Sequence, residues 1–196
     1  MSSSRDTLIN TSIEESIKVK QALLADPQLL KQINDVIGEF VTALSNGHKL
    51  LLFGNGGSAA DAQHIAAEFV GRFQMERTPL PALALTVNSS AVTGIGNDYD
   101  YVNVFSRQVE ALGQAGDVAV GFTTSGKSPN VIKALAAAKA KGIVTVALTG
   151  KFGDLLKEVA TYTLCVPSSE TPRIQESHIL IGHIVSQVTE LEMFAK

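Results

Sequence analysis

Two textures of apolar residues divide the chain. In the first 45 residues Leu29, Leu30, Ile33, Val36, Ile37, Phe40, Val41 and Leu44 recur at three- and four-residue steps, which draws one helical stripe. An earlier helix is predicted over 7–24, with Asp26-Pro27 as the break between the two. These helices precede any strand, so they either cap the core or pair with another subunit. From Lys49 the apolar residues come in short runs instead, at 50–53, 83–87, 118–122, 144–148 and 162–166. None alternates strictly, and each ends near Gly, Ser, Thr or Asn, as strands buried on both faces do. Helices are predicted between them at 59–73, within 90–112, at 130–141 and at 152–160. A long helix over 173–194 closes the chain, with Ile174, Ile181, Ile184, Val185, Val188 and Leu191 as its apolar side.

Strands alternating with helices imply an α/β fold: a parallel five-stranded sheet flanked by helices, preceded by N-terminal helices. The expected division is a helical arm over 1–45 and a sheet domain over 46–196, forming a single compact unit overall. No linker, low-complexity tract or internal repeat interrupts it.

Composition narrows the function classes. The 196 residues are 45% hydrophobic and 18% charged, enough for a sizeable core and too apolar for disorder. A net charge of −3 argues against a general nucleic-acid surface. No apolar run approaches the roughly 20 residues of a membrane span, and the N-terminus carries no apolar signal segment. The single cysteine, Cys165, reads as a buried strand residue in a reducing compartment, and a cytoplasmic location is expected.

The candidate chemistry lies where strands end. Gly54-Asn55-Gly56-Gly57-Ser58 follows the first strand, and Thr123-Thr124-Ser125-Gly126-Lys127-Ser128 follows the third. Open α/β sheets bind ligands beyond the carboxyl ends of their strands. Glycines let the backbone approach a ligand closely, and Ser58 is expected to cap a helix whose N–H groups attract anions. Neither turn is a nucleotide fingerprint: Gly126-Lys127-Ser128 lacks the upstream glycine of a P-loop, and after Gly54-x-Gly56 position 59 is alanine. A small phosphorylated ligand fits better.

His64 and Glu68, four apart, share a helix face suited to a metal or to acid/base work, with Arg72 one turn further on the same side. Taken singly, such a pair is commonly an ordinary polar pair. Its place after the glycine-rich turn favours function. Asn97-Asp98 lies in a glycine-rich stretch that reads as a functional loop or as a helix cap. On the last helix Gln175 and His178 face together, whereas Gln175 and His183 stand roughly 12 Å apart along the axis. Spacing alone therefore selects His178 as the partner of Gln175.

The ordered set of these motifs resembles the bacterial phosphoheptose isomerases, which are sugar-isomerase (SIS) domain proteins. The matching residues are Gly54 to Ser58, His64-x3-Glu68, Gly71-Arg72, Gly96-Asn97-Asp98, Thr123 to Ser128, Leu148-Thr149-Gly150 and Arg173-Ile174-Gln175-Glu176-x-His178-x4-His183. They run over nearly the whole chain, and the combination is far more specific than any piece.

The resemblance implies a flavodoxin-like three-layer sandwich, assembled as a homotetramer with active sites at subunit interfaces. It implies interconversion of sedoheptulose 7-phosphate and D-glycero-D-manno-heptose 7-phosphate, the first step toward activated heptose for lipopolysaccharide core or capsule. It also implies one zinc ion per site, held by His64, Glu68, Gln175 and His183, which overrules the spacing choice of His178. Substrate contacts would come from Asn55, Gly56, Gly57, Ser58, Glu68, Arg72, Asn97, Asp98, Thr123, Thr124, Ser125, Ser128 and Gln175, with Glu68 as base and His183 as acid. Thr123 stands where many relatives have serine. A non-catalytic relative, the adaptor that binds the replication initiator DnaA, needs the fold but not the acid/base residues, and their presence favours the enzyme. Sugar-phosphate-sensing regulators usually add a DNA-binding module, and the first 45 residues carry no basic recognition helix.

Overall fold

The computed structural model describes residues 2–195. Helix α1 (Ser2–Leu24) and helix α2 (Pro27–Ser45) come first. They are followed by β1 (Leu50–Gly54), α3 (Gly57–Val70), β2 (Ala82–Ala84), α4 (Ser89–Tyr99), α5 (Ser106–Leu112) and β3 (Val118–Thr123). The chain closes with α6 (Pro129–Ala140), β4 (Val144–Thr149), β5 (Tyr162–Cys165) and α7 (Thr171–Phe194). The five strands are all parallel, in the order β2-β1-β3-β4-β5, which is the flavodoxin-like arrangement.

Alternate residues of each strand feed opposite layers. Leu50 and Leu52 of β1 join a core built with α2, α3 and α7, while Leu51 and Phe53 join a second core built with α5 and α6. Both faces of the central strands are thus covered, which is why their sequences are continuously apolar. The α2 stripe is buried at Leu29, Ile33, Val36, Ile37, Phe40, Ala43 and Leu44, so α2 caps the sheet. Each fully buried large side chain there contributes about 1.5–3 kcal/mol. Asp26 starts this helix by accepting the Gln28 and Leu29 N–H groups at 3.0 Å, ahead of Pro27 at the first helical position. By contrast, α1 leaves Leu8, Ile9, Ile13 and Ile17 more than half exposed.

Several expected elements differ. In place of the run 83–87 stands the three-residue edge strand β2: Leu83 and Val87 are exposed, Ala84 packs against one core and Leu85 is buried in the other. The helix expected over 152–160 is a single 3-10 turn, Asp154–Leu156, in which Leu156 is the one buried residue. One apolar anchor does not make an amphipathic helix. The helical region 90–112 breaks at Asp100, whose φ of 68° ends α4 before a 3-10 turn, Tyr101–Asn103, leads to α5. Helix α3 stops at Val70, so Arg72 lies outside it.

Candidate active site

The two polar turns meet at the carboxyl end of the sheet. Gly56, with φ 56° and ψ −123°, occupies the cap position of α3, a backbone region that suits glycine. Ser58 is therefore not the cap: it is buried in the first helical turn, its N–H bonded to the Asn55 carbonyl at 3.0 Å. In the second turn the Thr123 and Ser128 hydroxyls are 2.9 Å apart, and the Ser125 hydroxyl accepts the Lys127 N–H at 3.2 Å. Gly126, with φ 68°, closes this turn by donating to the Thr123 carbonyl at 3.2 Å.

Asn55 and Asn130 tie the turns together. Each side-chain amide donates to the other's oxygen at 2.9 Å, and the Tyr101 hydroxyl adds a bond to the Asn55 oxygen at 3.3 Å. Asn55, Ser128, Asn130 and Tyr101 line one cleft. Thr124, Ser125 and Lys127 line its neighbour, together with Phe152, Ser169 and Thr171 at the start of α7. Two helix N-termini and several hydroxyls thus surround space that suits an anion.

His64, Glu68 and His183 lie on the α3–α7 layer. These helices run side by side in the same direction: Gly57 abuts Gln175, and Ile65 abuts Gly182. That register brings His183 to His64, with their Nε2 atoms 3.0 Å apart, and Glu68 Oε1 lies 3.0 Å from His64 Nε2. One ligand atom from each of His64, Glu68 and His183 falls within 4.8 Å of the others. His64 is half exposed and Glu68 about one-fifth exposed, so the group opens to solvent. Two imidazole nitrogens and a carboxylate are the donor set of a zinc centre with an open position, and nitrogens each about 2 Å from a tetrahedral zinc lie close to 3 Å apart. The residues fit such an ion.

His178 does not belong to this group, which corrects the choice from spacing. It is fully buried, edge-on to Phe122 with ring centroids 6.1 Å apart, and the Thr149 backbone is the polar group its ring meets. Burial pushes its pKa down to about 4, so it is a neutral core residue. Gln175 sits at the first turn of α3: a Cβ built on Gly57 would lie 2.9 Å from its Cδ and Oε1. Gly57 and His64 are about 10 Å apart along the helix axis, so within one protomer the Gln175 amide and the imidazole pair occupy different levels.

The remaining expected site residues are dispersed. Asn97 and Asp98 are exposed in the last turn of α4, bonded to each other at 2.9 Å, rather than in a loop. Arg72 reaches the Glu76 carboxylate at 3.6 Å.

Four residues near the His64–Glu68–His183 group went unread in the sequence. Phe73 stacks on the His183 ring, centroids 5.6 Å apart at 30°. Arg77 and Glu190 form an almost fully buried ion pair at 2.9 Å. Burial works to raise the Glu190 pKa, but the Gln74, Phe73 and Met75 N–H groups and Arg77 together hold it below the ordinary carboxylate range. Asp61, half-buried on α3 one turn before His64, is pushed up to about 6 by desolvation, against the pull of that imidazole. A charged residue seven positions after His183, on the same face of the last helix, was the available signal for Glu190.

Comparison with known proteins agrees with this architecture. Residues 14–150 match the SIS domain family. The chain is 53% identical over 186 residues to a phosphoheptose isomerase of Aneurinibacillus thermoaerophilus, covering 95% of this chain and 94% of that one. It superposes on the phosphoheptose isomerase of Neisseria gonorrhoeae with a TM-score of 0.88 at 42% identity, covering 94% of this chain and 98% of that one. A phosphoheptose isomerase of Francisella tularensis gives a TM-score of 0.88 at 38% identity, covering 95% and 97%. With its parallel sheet, paired polar turns and His64–Glu68–His183 group, the chain belongs to the phosphoheptose isomerase family of SIS-domain enzymes.

Proposed function

We propose that the protein interconverts sedoheptulose 7-phosphate and D-glycero-D-manno-heptose 7-phosphate, supplying heptose for lipopolysaccharide core or capsule. The convergence of His64, Glu68 and His183 carries this reading, because an aldose–ketose exchange needs a base and an acid at adjacent atoms. Glu68 takes the proton from C1 of the ketose and returns it to C2, through an enediol. His183 moves the accompanying proton between the C2 and C1 oxygens, so no atom is gained or lost. Glu68 engages His64 through Oε1, which leaves its second oxygen for the carbon-bound proton.

His64, Glu68 and His183 would hold one zinc ion, with Gln175 as the further donor; when bound, it polarises the carbonyl and favours the developing oxyanion. Thr123, Thr124, Ser125 and Ser128 hold the phosphate, with Asn55, Gly56, Gly57 and Ser58 at the facing turn. Binding energy at that remote end orients the reacting carbons. Arg72, Asn97, Asp98 and Gln175 supply the sugar hydroxyl contacts. The offset between the imidazole pair and the anion turns along α3 favours a site completed between subunits. The exposed Ile9, Ile13 and Ile17, at four-residue steps on α1, favour a homotetramer held by the N-terminal arm. A cytoplasmic location follows from the substrate. Among the described residues no helix is long and apolar enough to cross a membrane.

The test is an assay on sedoheptulose 7-phosphate with zinc supplied, alongside the mass in solution by light scattering. Formation of the aldose by a tetramer is expected. Absence of turnover, together with tight binding of the replication initiator DnaA, would establish the adaptor reading instead.

A further inference from the structure

We infer that Glu190 and Arg77 act as a positioning clamp for the acid/base group, holding Phe73 against His183 and the α3 end against α7; this rests on the reaction proposed above. His183, Gln187 and Glu190 fall at steps of four and three on α7, so one helix face presents all three. Every one of them meets the segment that follows α3. Phe73 stacks on His183. Gln187 donates to the Gln74 side-chain oxygen at 3.1 Å. Glu190 accepts the N–H groups of Phe73 at 3.0 Å, Gln74 at 2.7 Å and Met75 at 2.9 Å.

Arg77 completes the clamp from the other side. Its Nε donates to Glu190 Oε1 at 2.9 Å, while its Nη2 donates to the Glu68 carbonyl at 2.7 Å and its Nη1 to the Phe69 carbonyl at 2.9 Å. Those carbonyls lie in the last α3 turn, where they have no partner within the helix; the Leu80 N–H also reaches that of Phe69 at 3.0 Å, and the guanidinium serves both. The backbone of Glu68 is thereby tied through Arg77 to a carboxylate two turns beyond His183. The clamp is far from the anion turns, which lie at the opposite end of α3.

His183 is held on two sides. His64 meets it edge-on, centroids 5.0 Å apart at 61°, and Phe73 covers it at 30°. A ring free to rotate about its χ angles would not keep Nε2 aimed at His64. The clamp therefore fixes the plane of His183 and the depth of Glu68 together. Groups that orient metal-binding or acid/base side chains in this way typically govern metal affinity and turnover by about 10- to 100-fold.

The variants Glu190→Gln, Phe73→Leu and Phe73→Tyr separate positioning from mere stability. For each, zinc affinity is measured by competition with a chromogenic chelator, kcat and KM on sedoheptulose 7-phosphate well below the melting temperature, and Tm by calorimetry. Glu190→Gln and Phe73→Leu are expected to weaken zinc binding and lower kcat, each about tenfold or more. Their KM should stay within about twofold, because the anion turns are untouched. Phe73→Tyr, which keeps the ring, should restore both. A lowered Tm with wild-type zinc affinity and kcat overturns the inference. If Glu190→Gln does not fold, Phe73→Leu decides, since it leaves the ion pair in place. If the wild-type chain does not turn over this sugar, the proposed reaction fails, and the zinc affinities of wild type and variants still decide the clamp.

Discussion

His64 and His183 stand 119 positions apart in the chain and face each other through Nε2 at 3.0 Å. Two imidazoles arranged in this way either share a single proton or turn both lone pairs on one cation. With Glu68 Oε1 beside them, the second arrangement supplies three donors to one metal ion from two parallel helices.

Metal content should follow this geometry. His64→Ala and His183→Ala are each expected to lose stoichiometric zinc and turnover, whereas His178→Leu should retain its metal. Elemental analysis of the purified variants reads this directly. Full zinc occupancy in His183→Ala would remove it from the ligand set.

Glu68→Gln keeps the shape of the side chain and removes its basicity. Circular dichroism and binding of the sugar phosphate are expected to stay near wild type. The value of kcat should fall by about 10²- to 10⁴-fold, the usual contribution of general base catalysis. Turnover close to wild type would take the proton-transfer role away from Glu68.

Much of this was legible in the residues, and the reasons are specific. The strands could be read because β1, β3 and β4 are covered on both faces, so Leu50 to Phe53 and their partners are uniformly apolar. His64 and Glu68 could be paired because helical spacing is local. The partnership of His64 with His183 could not be derived from spacing, since it depends on how α3 lies against α7. Local spacing favoured His178, and the Phe122 packing that buries His178 is invisible until the sheet is assembled. Arg77 and Glu190 were missed for the same reason: charged residues are normally exposed, and only tertiary packing buries this pair. Removing one partner of such a pair costs about 3–5 kcal/mol.

Gly126→Ala tests the anion turn. Its φ of 68° disfavours any side chain, and a new Cβ would press on the Phe152 carbonyl oxygen. The turn must then shift away from the 152 segment, pulling Ser125 and Ser128 with it. KM for the sugar phosphate is expected to rise at least tenfold, with a smaller change in kcat. The backbone strain should also lower stability by about 1–3 kcal/mol, read by thermal melting. An unchanged KM would separate this turn from phosphate binding.

The buried His178 makes stability depend on pH in one direction. Its pKa moves from the ordinary 6.5 to about 4 because the folded core cannot accommodate the charge. Above pH 6.5 the ring is neutral whether the chain is folded or not, so its contribution is fully present. As pH falls below 6.5 the unfolded chain takes up a proton that the folded chain refuses, and stability is lost until the folded ring also titrates near pH 4. The total is on the order of 3 kcal/mol, from about 1.4 kcal/mol per pH unit. Carboxylates such as Glu190 lose their own contribution in acid too, so the informative quantity is the difference between wild type and His178→Leu. Urea unfolding at intervals from pH 7.5 to 4.5 should show the wild-type curve falling more steeply than that of the variant, whatever their absolute stabilities. Parallel curves would mean that the His178 ring takes up its proton as readily inside the folded protein as outside it, the Thr149 backbone offsetting the burial.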